Sequence, residues 1–156
     1  MFTGLLFAAC SAAALAGETP HLDFPEMYVR PVGPRGFQQT PKLASLDGHP
    51  VRMAGYMVHR EVALPGSFLL APLPARLGDE DDGLADDLPA TVVTVRFPPE
   101  LAASVAPYRD GRIAVTGTLC LGPEREADGR ISSVRLMLDA GTATPFFTDS
   151  NSPRSR

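Results

Sequence analysis

Short apolar stretches that alternate with polar residues, each ended by proline or glycine, constrain this chain more than any other feature. In "PVRMAGYMV", Val51, Met53 and Met57 alternate with Arg52, Ala54 and Tyr56. That period of two belongs to a strand with one buried face. Gly55 stands where a core side chain would be expected, and glycine inside a strand often marks a bulge or sharp bend. Pro50 suits a strand start, and Leu46-Asp47-Gly48 before it is a turn signal. With 16 prolines and 14 glycines in 156 residues, long helices have little room to form.

Four more elements of this kind follow. "GSFLLAPLP" from Gly66 reads as a second, short strand ended by Pro72 and Pro74, and "ATVVTVRF" over Ala90–Phe97 as a third. "GRIAVTGTLCLG" and "GRISSVRLMLDA" are two further strands joined by the polar hairpin "PEREADGR". Between the third and fourth lies "PPELAASVAPY", which predicts a helix. Proline suits its first turn, Glu100 favours the helix dipole, and Leu101 and Val105 are spaced i, i+4. The order strand, strand, strand, helix, strand, strand predicts a mostly-β fold: a small five-stranded, OB-like barrel with one short helix between strands three and four. A two-layer α+β sandwich is the alternative.

The segments outside this body divide as follows. Residues 1–16 read as a signal peptide: the apolar run Phe2–Ala16 ends in Ala14-Leu15-Ala16, which fits cleavage after Ala16. No Lys or Arg precedes the run, and it is shorter than the ~20 apolar residues of a membrane span. Phe7-Ala8-Ala9-Cys10 also approaches a lipobox, so lipidation at Cys10 is a second reading. Either way the mature chain is expected outside the cytoplasm, periplasmic or lipid-anchored, with no membrane span left after cleavage. Cys120 has no cysteine partner there except Cys10 if that residue is retained, so the core and not a disulfide must hold the domain. Residues 17–42 form a Pro/Gly-rich lead-in with one short strand at "MYVRPV", its apolar residues packed along the domain. The barrel is expected over 43–147, and 148–156 reads as a disordered tail.

"LDGHPVRMAGYMV", "FLLAP", "IAVTGTLCLG" and "SVRLMLDA" together resemble the DUF3299-type exported bacterial proteins of unknown function, over about residues 43–140. The shared pattern is a Leu-Asp-Gly turn, a Gly-[Phe/Tyr]-Met-Val strand, a Phe-Leu-Leu segment and a late Val-x-Gly-x-Leu strand. Many such proteins also carry Cys-x-His and a proline run after Phe-Leu-Leu. Here "RLGDEDDGLADDLP" stands in that place, so no role resting on that Cys and His transfers. The resemblance implies an exported OB-like domain and names no ligand.

Several chemistries can be weighed on the residues. Asp79, Glu80, Asp81, Asp82, Asp86 and Asp87 put six carboxylates into nine positions. An EF-hand loop fails here, because Gly83 at position six places Gly78 at position one and Pro89 at position twelve. The loop is expected to be solvated, with a looser divalent-cation or basic-partner site as the alternative. His59 and Glu61 would share one face of a strand and offer two ligands to a metal, too few alone, while His21 and His49 have no evident local partner. There is no Gly-x-Ser-x-Gly motif and no phosphate-binding glycine loop. Cys120 is expected to pack in its strand.

Nucleic-acid binding needs stacking aromatics among basic residues, and a chain of net charge −4 without tryptophan offers no such face. Arg30, Arg35, Arg52, Arg60 and Arg96 read as solvated charges or, alternatively, a scattered anion-binding rim. The function expected is therefore non-enzymatic, with no cofactor: an exported envelope protein that binds an unknown envelope protein or small ligand. A periplasmic divalent-metal-handling protein serving a transporter is the alternative.

Overall fold

The computed structural model describes residues 18–78 and 88–147. The strands are β1 (Pro50–Met57), β2 (His59–Arg60), β3 (Ser67–Ala71), β4 (Arg76–Leu77), β5 (Val93–Arg96), β6 (Arg112–Arg125) and β7 (Ile131–Met137). Two short helices, α1 (Pro41–Ser45) and α2 (Ala140–Phe147), flank them. The five longer strands pair in the order β1-β3-β5-β7-β6, and β6 returns to β1. All of these pairings are antiparallel except β5 with β7.

The ring of pairings is uneven. β1 and β6 are in register over seven residue pairs, from Pro50↔Thr118 to Tyr56↔Arg112. β1 and β3 meet at only two, Tyr56↔Ala71 and Met57↔Leu70. β2 and β4 form a separate two-stranded parallel sheet.

Side chains that face inward are those the alternation singled out. Val51, Met53 and Met57 of β1 are buried, as are Val115 and Leu119 of β6 and Val134 and Leu136 of β7. Gly55 keeps its place on the inward face for a steric reason. A Cβ there would lie 2.6 Å from the Ala71 carbonyl oxygen and 2.8 Å from a Phe24 ring carbon. Close approach of β3 and the lead-in excludes any side chain at this point.

The expected OB-like barrel, with its helix between the third and fourth long strands, is corrected. That connection holds only a 3-10 turn, Pro99–Leu101. Pro107 disfavours helical geometry in the residue before it, which leaves a segment too short to repay helix nucleation. Its backbone is used elsewhere: the Gly66 N–H donates to the Ser104 carbonyl at 2.8 Å, and the Phe97 N–H to the Gly66 carbonyl at 2.9 Å. Helical structure instead follows the last strand. Asp139 starts α2, its carboxylate accepting from the Thr142 N–H at 2.7 Å. Phe146 and Phe147 of α2 then pack on Phe68 and Phe97, with ring centroids 5.2 and 4.9 Å apart. What stands is a mostly-β protein in which β1 is joined strongly to β6 and only by two pairs to β3, with a C-terminal helix packed on Phe68 and Phe97.

The lead-in packs along the sheet. Leu22, Phe24 and Met27 are buried in the main core, and the Leu22 N–H donates to the Arg52 carbonyl at 3.0 Å. "MYVRPV" is not a strand; it forms one arm of a small hairpin through isolated bridges at Tyr28↔Gln39 and Gly33↔Gly36.

Candidate functional site

The polar hairpin between β6 and β7 carries the densest charge chemistry of the described residues. A register irregularity between Leu121 and Glu124 opens the ladder there, and Gly122 takes φ +109 to allow it. The Glu126 N–H then closes the turn on the Arg130 carbonyl at 2.8 Å. Glu124, Glu126 and Asp128 are each set against arginines from other elements.

Arg96, at the end of β5, is the centre of this arrangement. Its Nη1 donates to Glu124 Oε1 at 2.6 Å, and its Nη2 and Nε donate to Glu126 Oε2 at 2.8 and 3.2 Å. Arg135 of β7, only 6% exposed, donates from Nη1 to the Gly122 carbonyl at 2.7 Å and pairs through Nε with Glu124 Oε2 at 3.2 Å. Arg60 and Arg130 share Asp128, at 3.0 and 2.7 Å from its Oδ2.

The electrostatics follow from this geometry. The hydrogen bond from Arg96 holds the Glu124 carboxyl below its ordinary value. Burial pushes Asp128 up, but bonds from Arg130 and Arg60 outweigh it and leave the carboxyl lowered. Burial also opposes the charge on Arg96, and its bonds to Glu124 and Glu126 more than compensate.

One atom is left over. The Glu126 side chain is 8% exposed, and its Oε1 is buried with no hydrogen-bond partner. A buried carboxylate oxygen without a donor is costly, on the order of 1–3 kcal/mol. Glu126 lies on the wall of a cleft of about 180 Å³ that Arg96, Asp128, Arg130, Gly66 and Ser67 also line. Two cations and two anions line that cleft, so its formal charge is zero.

The residues singled out in the sequence are placed as follows. Asp79, Glu80, Asp81, Asp82, Asp86 and Asp87 lie outside the described residues, as do Cys10, Ala16 and the tail 148–156. His59 and Glu61 are not brought together at a site: β2 ends at Arg60, Glu61 is exposed, and the His59 ring packs edge-on to Tyr108 with centroids 4.9 Å apart. Among the described residues no three of His, Cys, Asp and Glu gather at metal-binding distance. His21 and His49 do have local partners, which corrects the expectation. His21 Nε2 lies 2.9 Å from Asp23 Oδ1, and His49 Nδ1 lies 2.9 Å from the Asp47 carbonyl.

Cys120 is half-buried with a free thiol and lies opposite Arg135 in the β6–β7 ladder. The arginines do not form one anion-binding rim. Arg60 and Arg96 are committed to the acidic hairpin, Arg52 stands beside His21 on another cleft, and Arg30 and Arg35 belong to the lead-in hairpin. Glu126 was not singled out by the sequence. Its nearest signal is the polar hairpin "PEREADGR", in which no single acid stands out.

No family model matches this chain, and no curated protein matches it. Among solved structures it is similar to the crystal structure of a DUF3299 family protein from Pseudomonas aeruginosa PAO1. The identity is 15%, the TM-score 0.46, and the match covers 78% of this chain and 93% of that one. The likeness coincides with the family named from the motifs but is too distant to place the chain within it. No helix among the described residues is long and apolar enough to cross a membrane.

Proposed function

We propose that this chain is a non-enzymatic, exported binding protein of the bacterial envelope, and that the cleft beside the β6–β7 hairpin receives a small neutral ligand. The observation that carries this reading is the cleft itself, lined by two arginines and two carboxylates, one of which, Glu126, keeps a second oxygen buried without a partner. A ligand hydroxyl or amine in the cleft would offer the Glu126 carboxylate a further donor. The balanced charge of the lining disfavours ions, because a net charge would have to leave water without a counter-charge in the cleft. A hydroxyl suits the site best, since it donates to a carboxylate and accepts from a guanidinium at once. Export rests on the N-terminal apolar run and its small-x-small end at Ala16. The metal-handling alternative would rest on Asp79, Glu80, Asp81, Asp82, Asp86 and Asp87, which lie outside the described residues.

The test is a thermal-shift screen with neutral sugars and polyols, amino acids, and simple anions. Ligand at about one hundred times its Kd stabilises by roughly 2.7 kcal/mol. The reading expects a neutral hydroxylated compound to raise Tm in the native protein and to lose that effect in Glu126→Gln. Stabilisation by anions alone, or a hit that Glu126→Gln leaves intact, would oppose it.

A further inference from the structure

The lead-in hairpin, residues 28–39, differs in kind from the cleft. It is pinned at its base and bare at its tip. The Val29 N–H donates to the Gln38 carbonyl at 2.8 Å and the Thr40 N–H to the Met27 carbonyl at 3.0 Å. Met27 is fully buried beneath it, and Thr40 Oγ1 ties to the Glu26 carbonyl at 2.6 Å. The tip is a turn from Gly33 to Gly36, with Pro34 second and Gly36 at φ +75. Around it Val29, Val32 and Phe37 are 45%, 49% and 50% exposed. Phe37 is steadied by an edge contact with Tyr28 at 5.3 Å.

The hairpin carries positive charge only. Residues 28–39 contain Arg30 and Arg35 and no acid, in a chain of net charge −4. Both arginines are exposed, and neither forms an ion pair among the described residues, in contrast to Arg60, Arg96, Arg130 and Arg135 of the β6–β7 cluster though like the exposed Arg52, Arg76, Arg112 and Arg125. Exposed apolar side chains flanked by exposed guanidinium groups fit a surface that is apolar below and anionic at its boundary.

We propose that this hairpin is a membrane-surface contact, in which Val29, Val32 and Phe37 enter the headgroup boundary of an anionic phospholipid bilayer while Arg30 and Arg35 lie among its phosphates. Guanidinium groups pair with phosphate oxygens in forked geometry. A protein partner is the weaker fit. Stable protein interfaces bury about 800 Å² per side with matched shape, and a twelve-residue hairpin tip offers less. A bilayer needs no matched shape and rewards this combination of apolar and basic side chains.

The experiment is co-sedimentation of the full-length chain with vesicles rich in phosphatidylglycerol and, separately, with vesicles of phosphatidylcholine alone. Because the run Phe2–Ala16 is itself apolar, the deciding quantity is the difference between native protein and variants that share that run. Arg30→Glu with Arg35→Glu is expected to lower binding to the anionic vesicles on the order of tenfold or more. Val32→Asp with Phe37→Asp is expected to lower it about tenfold. Sodium chloride at about 0.5 M weakens the native interaction. Unchanged circular dichroism and melting show that both variants remain folded. Equal sedimentation of native and charge-reversed protein, equal binding to the two lipid compositions, or no binding by the native protein would overturn the proposal. So would an envelope protein whose capture needs these four side chains when vesicle binding does not.

Discussion

Two hairpins leave this sheet, and they treat arginine in opposite ways. At the β6–β7 turn Arg60, Arg96, Arg130 and Arg135 are each answered by a carboxylate, and one carboxylate oxygen is left unanswered. In the lead-in turn two arginines have no carboxylate near them among the described residues, and apolar side chains face water. The first hairpin is a structural staple with one unpartnered carboxylate oxygen; the second presents half-exposed apolar side chains, of which Phe37 packs on Tyr28. The same residue type therefore stabilises in one place and is free for contact in the other, according to what the topology brings beside it.

Substitutions that remove the staple should hurt most. Arg96→Ala leaves the buried Glu126 and the neighbouring Glu124 without their main partner, and urea unfolding should show a loss of about 3 kcal/mol. Next comes the seam where the lead-in meets the sheet. Gly55→Ala forces a Cβ against the Ala71 carbonyl, and the same titration should fall by about 2 kcal/mol. Asp128→Asn should cost about 1 kcal/mol at neutral pH, through weakened bonds to Arg60 and Arg130.

That third variant also carries a pH signature. The folded-state carboxyl of Asp128 is lowered from 3.8, so its contribution is fully present above that value and is lost as pH falls through the folded pKa. Acid unfolding should be less steep in Asp128→Asn than in the native protein, and parallel curves would remove the staple's electrostatic role. Smallest of all, the paired arginine reversals in the lead-in hairpin should change stability by no more than about 0.5 kcal/mol. A larger loss there would mean that the second hairpin also holds the fold, and the contrast would collapse.

Much of the strand framework was legible because alternation reports burial directly: Val51, Met53 and Met57 face the core as their spacing demanded. In the lead-in, expected to pack through its apolar residues, Phe24 and Met27 are buried while Val29 and Phe37 are about half exposed. The helix expected at 98–108 does not form because Pro107 ends it early and the Ser104 carbonyl accepts from Gly66 instead of from a helical partner. α2 was missed because Pro145 sits inside it, and a proline there argues against a helix until Phe146 finds the core. The candidate site was the least legible. Arg60 meets Asp128 across 68 positions and Arg96 meets Glu126 across 30, and no local pattern announces such pairs. Histidines and the acidic run drew attention instead, because their chemistry shows in one dimension.

A double-mutant cycle on Arg96→Met and Glu126→Gln, followed by urea unfolding, probes the staple at its centre. If the two side chains act as one buried pair, each single change destabilises, and the double variant recovers more than about 1 kcal/mol relative to the sum. Losses that add to within about 0.5 kcal/mol would show two independent surface charges, and with them the staple and the vacancy it creates would fall.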